Sequence, residues 1–344
     1  MGVGLALDLR HGCVDINMGA GGLASERLLQ ELFLPAFDNV ALQSLGDGAV
    51  VPMPPGRLVV ATDAHVVSPI FFPGGDIGGL SVHGTVNDVA MMGARPLYLS
   101  ASFILEEGFP LADLKRVVDS MAAACHEAGV SIVTGDTKVV EKGGADGVFI
   151  TTTGVGMVEE SVGIAPDRAR PGDRVIVSGP IGEHGAAVLA QRRELGLETA
   201  LTSDTQPLHG LVAAMLESGV ELRCLRDPTR GGVASALNEL ARASGVGIAL
   251  DEESIPVGGE VRGVCELLGL DPLYVACEGR LLAICPADGV ERLLQNMRAH
   301  PKGEGAAIIG EVVEDRDRLL VLHAPWGGSR IVPMLTGEPL PRIC

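Results

Sequence analysis

Apolar and β-branched residues alternate along 57–62, 97–105, 130–134, 148–157 and 174–178, each run bounded by glycine, proline or charge, which predicts strands there. Between the runs the period lengthens. Leu111, Leu114, Val117, Val118, Met121 and Cys125 recur on one stripe that opens after Pro110 and stops at Gly129, the pattern of a helix entered by proline and left by glycine. Val82, Val86, Val89 and Ala90 predict a second helix over 81–92. Residues 164–173 mix proline, glycine and charge and read as a connector between domains. Beyond it, helices near 185–195, 207–218, 231–243 and 289–299 alternate with strands near 246–250, 281–285 and 307–313. The expectation is a mixed α/β chain with an N-terminal domain over 1–165, a C-terminal α/β domain over 166–334 and a mobile tail over 335–344.

Composition narrows the function. Of 344 residues, 26 are basic and 44 acidic, a net charge of −18 that leaves no surplus Lys and Arg to neutralise a nucleic acid. Aromatic residues are 3% of the chain, too few for base-stacking platforms or membrane-interface belts. No run approaches the ~18 consecutive apolar residues of a membrane span. The first ten residues lack the basic start of a secretory leader, so a cytoplasmic setting with reduced thiols is expected. The seven cysteines form no CxxC pair, against a structural zinc site. Cys344 stands apart as the last residue, where no core is at hand to bury it.

Three carboxylates stand at strand ends or on the helix that follows: Asp63 in Ala61-Thr62-Asp63-Ala64-His65, Asp88 after Asn87, and Asp136 before Thr137 and Lys138. Open α/β sheets bind ligands at such ends, and Mg²⁺ takes oxygen ligands together with phosphates. Each aspartate alone reads equally well as a cap. Two glycine loops could cradle phosphate, one with Gly19, Gly21 and Gly22, the other running from Asp227 through Thr229 to Gly231 and Gly232 before a helix. Neither is followed by Gly-Lys-Ser/Thr, so a P-loop is excluded. Phe71-Phe72-Pro73-Gly74-Gly75-Asp76-Ile77-Gly78-Gly79 reads as a packed loop, or as a lid or tail-docking surface near the nucleotide. His65 and His83 have no second histidine at ligand spacing.

Phe71-Phe72-Pro73-Gly74-Gly75, Gly84-Thr85-Val86-Asn87-Asp88-Val89-Ala90, Gly135-Asp136-Thr137-Lys138, Asp227-Pro228-Thr229-Arg230-Gly231-Gly232 and the terminal Pro341-Arg342-Ile343-Cys344 together resemble the HypE family of hydrogenase maturation factors, within the aminoimidazole ribonucleotide synthetase-like superfamily. The loop written His-Gly-Ser-Gly-Gly in that family stands here as Met18-Gly19-Ala20-Gly21-Gly22, keeping the glycines and lacking the two polar side chains. The resemblance implies a homodimer in which N-terminal domains pair into a barrel-like sheet, with ATP and Mg²⁺ in the cleft. It implies dehydration of a carbamoyl group on Cys344 to a thiocyanate, the source of the cyanide ligands of [NiFe] hydrogenase. Implied for phosphate and metal are Asp63, Asp88, Asp136 and Asp227; for the nucleotide, Gly19, Gly21, Gly22, His65, Asn87, Thr137, Lys138, Thr229, Gly231 and Gly232; for catalysis, Glu278 as base with Lys138 and Asp88. Implied partners are a carbamoyl transferase and an iron-carrying scaffold that accepts cyanide. The rival readings are a selenophosphate synthetase-like enzyme using Cys13, and a scaffold whose tail docks a partner.

Overall fold

A computed structural model describes residues 6–192, 199–337 and 342–344. The first strand, β1 (Arg57–His65), runs three residues past its predicted end, so Asp63 and His65 lie within it. Before it come a 3-10 turn over Ile16–Gly19, α1 (Leu23–Leu28), a π turn over Leu29–Phe33, α2 (Leu34–Ala36) and α3 (Val40–Gln43). After it, β2 (Phe71–Phe72) and β3 (Gly75–Asp76) form a short hairpin. Asp76 then caps α4 (Ile77–Met91), accepting from the N–H groups of Gly78 and Gly79 at 2.7 and 3.1 Å.

The predicted stripe becomes α5 (Leu111–Ala128), with Pro110 at its N-cap and Gly129 ending it at φ 65°. It packs on α4. β4 (Arg95–Glu106), β5 (Ser131–Val140) and β6 (Val148–Val158) complete a sheet ordered β1-β6-β4-β5, in which only β4 and β5 are parallel. α4 covers one face. The other face is open in the single chain and carries Leu58, Val60 and Ile104 at 60%, 58% and 41% exposure. Every residue of α4 is buried except Asp88, because sheet, α5 and the second domain surround the helix.

The connector is packed rather than free: Ile164 and Ala169 are buried, and Asp173 meets the Arg223 guanidinium at 2.8 Å. Beyond it the chain runs β7 (Arg174–Val177), α6 (Glu183–Ala190), α7 (His209–Glu217), β8 (Cys224–Arg226), α8 (Gly232–Ser244), β9 (Gly247–Asp251), α9 (Gly259–Leu268), β10 (Leu282–Cys285), α10 (Val290–Ala299), β11 (Ala307–Val313), β12 (Leu320–His323) and β13 (Ser329–Ile331). The helix expected over 185–195 is thus shorter, and 193–195 lie outside the described residues. Seven strands form one sheet, β13-β12-β9-β11-β7-β10-β8. Its two faces follow the two-residue period: Val175 and Val177 pack with Val233, Leu237 and Leu240 of α8, while Ile176 turns to Leu211 and Met215 of α7 and Leu293 and Met297 of α10. The result is a two-domain α/β architecture, with α4 at the seam.

Candidate active site

The seam gathers four carboxylates. Asp63 faces α4 from β1, and its Oδ2 stands 3.2 Å from Nε2 of the buried His65. Gly84 permits this approach, because a Cβ there would lie 3.0 Å from His65 Nε2 and 3.4 Å from Asp63 Oδ2. Burial works to raise the Asp63 carboxyl, but His65 and the Ala64 N–H outweigh it and hold Asp63 below the usual range. Asp88, the one accessible residue of α4, is pushed up by burial and then by the charges of Asp227 and Asp63. Asp227 follows β8 and is also raised, by burial first, with Asp63 adding to it against Arg226. Glu278 is 4% exposed, its Oε1 has no hydrogen-bond partner, and burial, Asp227, Asp63, Asp204 and Asp88 all raise its carboxyl.

Carboxylates held this close resist ionising together unless a cation joins them. Arg226 and Arg230 act on Asp88 as counter-charges, and Arg226 is already paired with Glu239 at 2.7 Å. Among the described residues no three His, Cys, Asp or Glu side chains enclose an ion by themselves. An oxygen-only set that is buried, anionic and incomplete fits Mg²⁺, which keeps water and takes phosphate oxygens to finish its shell.

Asp136 does not join this cluster within one chain. The ladder pairs Ala64 with Thr151, Thr151 with Ser102 and Ser102 with Asp136, so Asp136 lies three strands from β1, about 14 Å at the usual spacing. Asp63 belongs to the adjacent row with Thr152, Ala101 and Gly135, so the two aspartates face opposite sides of the sheet. Asp136 and Lys138 pair at 3.4 Å, both largely exposed. Beside them a cavity of about 230 Å³ is bounded by Gly19, Gly21, Phe33, Phe103, Thr137 and Lys138. Gly19 presses on β5, where a Cβ would fall 2.3 Å from the Val139 nitrogen; Gly22 follows at the N-cap of α1.

In the second loop, the Thr229 carbonyl accepts the Gly232 N–H at 2.9 Å, and Gly231 caps α8 with no side chain closing the helix start. Asn87 reaches across the seam. Its Nδ2 donates to the carbonyls of Gln206 and Glu278 at 3.0 and 3.3 Å, and its Oδ1 accepts the Leu208 N–H at 2.7 Å. Through these three bonds Asn87 ties the second domain's loops to α4. Asn87→Ala strands these buried groups at about 1–3 kcal/mol each and lowers the midpoint of thermal unfolding. An unchanged midpoint with weakened nucleotide binding would assign Asn87 to the nucleotide instead.

Two residues without any sequence motif complete the site. Asp204 accepts the Glu278 N–H at 3.0 Å and lies 3.7 Å from the Arg280 guanidinium, fixing the backbone of Glu278 from beneath. His184 on α6 meets the carbonyl of Ile343 at 2.8 Å. Of the tail, 338–341 lie outside the described residues, and 342–344 are docked: the Val66 N–H donates to the Cys344 carbonyl at 3.1 Å and the Ser68 N–H to the Arg342 carbonyl at 3.0 Å. Arg342 also pairs with Asp146, and Ile343 is buried in the N-terminal core. Phe72 lies edge-on to His184 at 5.4 Å, which sets the Phe71-Phe72 string against the docked tail. Cys344 thus ends one residue along from His65.

Two family models cover most of the chain: the AIR synthase related protein N-terminal domain over residues 45–158 and its C-terminal domain over 170–322. The chain is 62% identical to carbamoyl dehydratase HypE of Azotobacter vinelandii over 98% of this chain and 99% of that protein. Hydrogenase maturation protein HypE solved in complex with ATP superposes with a TM-score of 0.92 at 48% identity, covering 96% of this chain and 99% of that one. HypE in a HypE–HypF complex superposes at 0.79 with 47% identity, covering 90% and 99%.

Proposed function

The chain belongs to the AIR synthase related proteins and, among them, to the HypE family of hydrogenase maturation proteins, and we propose that it uses ATP to dehydrate a carbamoyl group carried on Cys344. The observation that carries this is the docked terminus: the Cys344 main-chain oxygen accepts the Val66 N–H at 3.1 Å, three residues along the chain from Asp63 of the acidic cluster.

An amide oxygen is a poor leaving group, and the chemistry follows from that. The carbamoyl oxygen of the Cys344 adduct takes the γ-phosphoryl group of ATP, releasing ADP, and nitrogen gives up one proton to solvent to leave an imidate phosphate. Glu278 then accepts the remaining N–H proton, the C–O bond breaks, and phosphate leaves as the nitrile forms: thiocarbamate and ATP become thiocyanate, ADP and phosphate. Glu278 suits this step by its place, buried within the cluster with an Oε1 that has no hydrogen-bond partner. Asp204 holds its backbone in place. Asp63, Asp88 and Asp227 would hold Mg²⁺, which supplies charge stabilisation for the transferring phosphoryl group.

Gly19, Gly21, Gly22, Thr137 and Lys138, with Asp136, lie too far along the sheet to serve the same centre within one chain. Asp136 and Lys138 lie on the open sheet face, which is the face that the homodimer would pair with its partner's. A relative assembles with HypF. The partners proposed here are the carbamoyl transferase that loads Cys344 and the iron-carrying scaffold that accepts the cyanide, with the cytoplasm as the setting. Among the described residues no helix is long and apolar enough to cross a membrane. In the test, phosphate release from ATP is followed with loaded and unloaded chain: one phosphate per nitrile from loaded chain alone is expected, and equal release from unloaded chain would overturn the coupling.

A further inference from the structure

Resting on that reading, we propose that His184 is a positioning residue that latches the Cys344 end of the chain in its reacting position, with the Ile343 side chain as its anchor. The tail lies along residues 66–68, through the Val66 bond to the Cys344 main-chain oxygen and the Ser68 bond to the Arg342 carbonyl. Those two bonds leave the carbonyl between them pointing the other way. It is the Ile343 carbonyl, buried with its residue, and the His184 Nε2 at 2.8 Å is what satisfies it.

The ring is set up for this donation. The Ser203 Oγ accepts the Thr205 N–H at 3.1 Å and lies 2.7 Å from His184 Nδ1, so the Ser203 hydroxyl proton is directed to Nδ1 and the ring proton is left on Nε2. Burial keeps the ring neutral, lowering its pKa to about 4. Phe72 packs edge-on against the ring and fixes its plane. The neighbour of Ser203 is Asp204, the residue that accepts the Glu278 N–H. One short stretch, Ser203-Asp204-Thr205, therefore orients both the latch and the backbone of the base, and docking the tail and aligning Glu278 draw on the same loop.

The test compares His184→Phe, which keeps an aromatic ring in place but removes the donor, with His184→Gln, which can donate from nearly the same point, and with Ile343→Ser, which alters the tail alone and leaves the buried wall intact. Docking is read as the rate at which an alkylating reagent modifies Cys344, followed on the C-terminal peptide so that other thiols do not interfere. The reaction is read as a single turnover of carbamoyl-loaded chain with ATP. His184→Phe and Ile343→Ser are expected to raise alkylation and slow dehydration by about tenfold, the effect of losing one buried contact, with nucleotide affinity unchanged and with His184→Gln largely restoring both. Wild-type alkylation and turnover in His184→Phe and Ile343→Ser would overturn the latch. So would faster alkylation with unslowed turnover, since the seat would then not serve the reaction. If even the wild-type chain fails to dehydrate its adduct, the dehydratase reading fails, and the alkylation rates alone decide whether His184 holds the tail.

Discussion

Cys344→Ala is expected to lose dehydration completely while keeping fold and nucleotide binding. The bond from the Val66 N–H uses a main-chain oxygen of residue 344, not its thiol, so the docked backbone survives the change. Only the carrier atom is removed. Among the described cysteines Cys344 is partly accessible, Cys13 is exposed, and the other five are buried. Burial raises the thiols of Cys125, Cys224, Cys265, Cys277 and Cys285, which keeps them protonated and unreactive. The mass of the whole chain after incubation with the carbamoyl transferase and its donor checks this. No added carbamoyl group is expected on the variant; a full adduct on it would move the carrier to Cys13 and revive the selenophosphate synthetase-like reading.

The second large effect belongs to Glu278. Glu278→Gln keeps the side chain's size and the backbone N–H that Asp204 receives, and removes only the ability to take a proton. A positioned general base contributes about 10²–10⁴-fold, and a loss of that size is expected in the elimination step. Nucleotide binding is expected to persist, and the thermal midpoint not to fall, because the variant relieves a buried carboxyl from four like-charged neighbours. Rapid-quench single turnover with loaded chain separates the steps: ADP should form while phosphate and nitrile lag behind. An unchanged rate of nitrile formation would remove Glu278 from the proton transfer.

Much of this molecule can be read along the chain, and where reading stops the reasons are physical. The α5 stripe is legible because one face is buried and the other is wet, so sequence period and burial coincide. α4 hides its first turn, since Gly78 and Gly79 weaken helix propensity and burial on all sides overrides it. β8 and β13 are three residues each, too short to show a period. Asp63, Asp88 and Asp227 could be picked out by their places on or beside strands and helices, and Glu278 by family resemblance. Asp204 and His184 carry no local signal, as their roles exist only once the 203–205 stretch folds against α6 and the 278 turn.

The most direct test of the account is to load Cys344 with a carbamoyl group whose oxygen is heavy-isotope labelled and follow two masses, those of the C-terminal peptide and of the released phosphate. With ATP and Mg²⁺ the account predicts that the peptide loses one water and that the labelled oxygen appears in the phosphate, because the oxygen that receives the phosphoryl group departs with it. An adduct that keeps its mass while ATP is consumed, or a phosphate without the label, would contradict phosphoryl activation of the carbamoyl oxygen at this site.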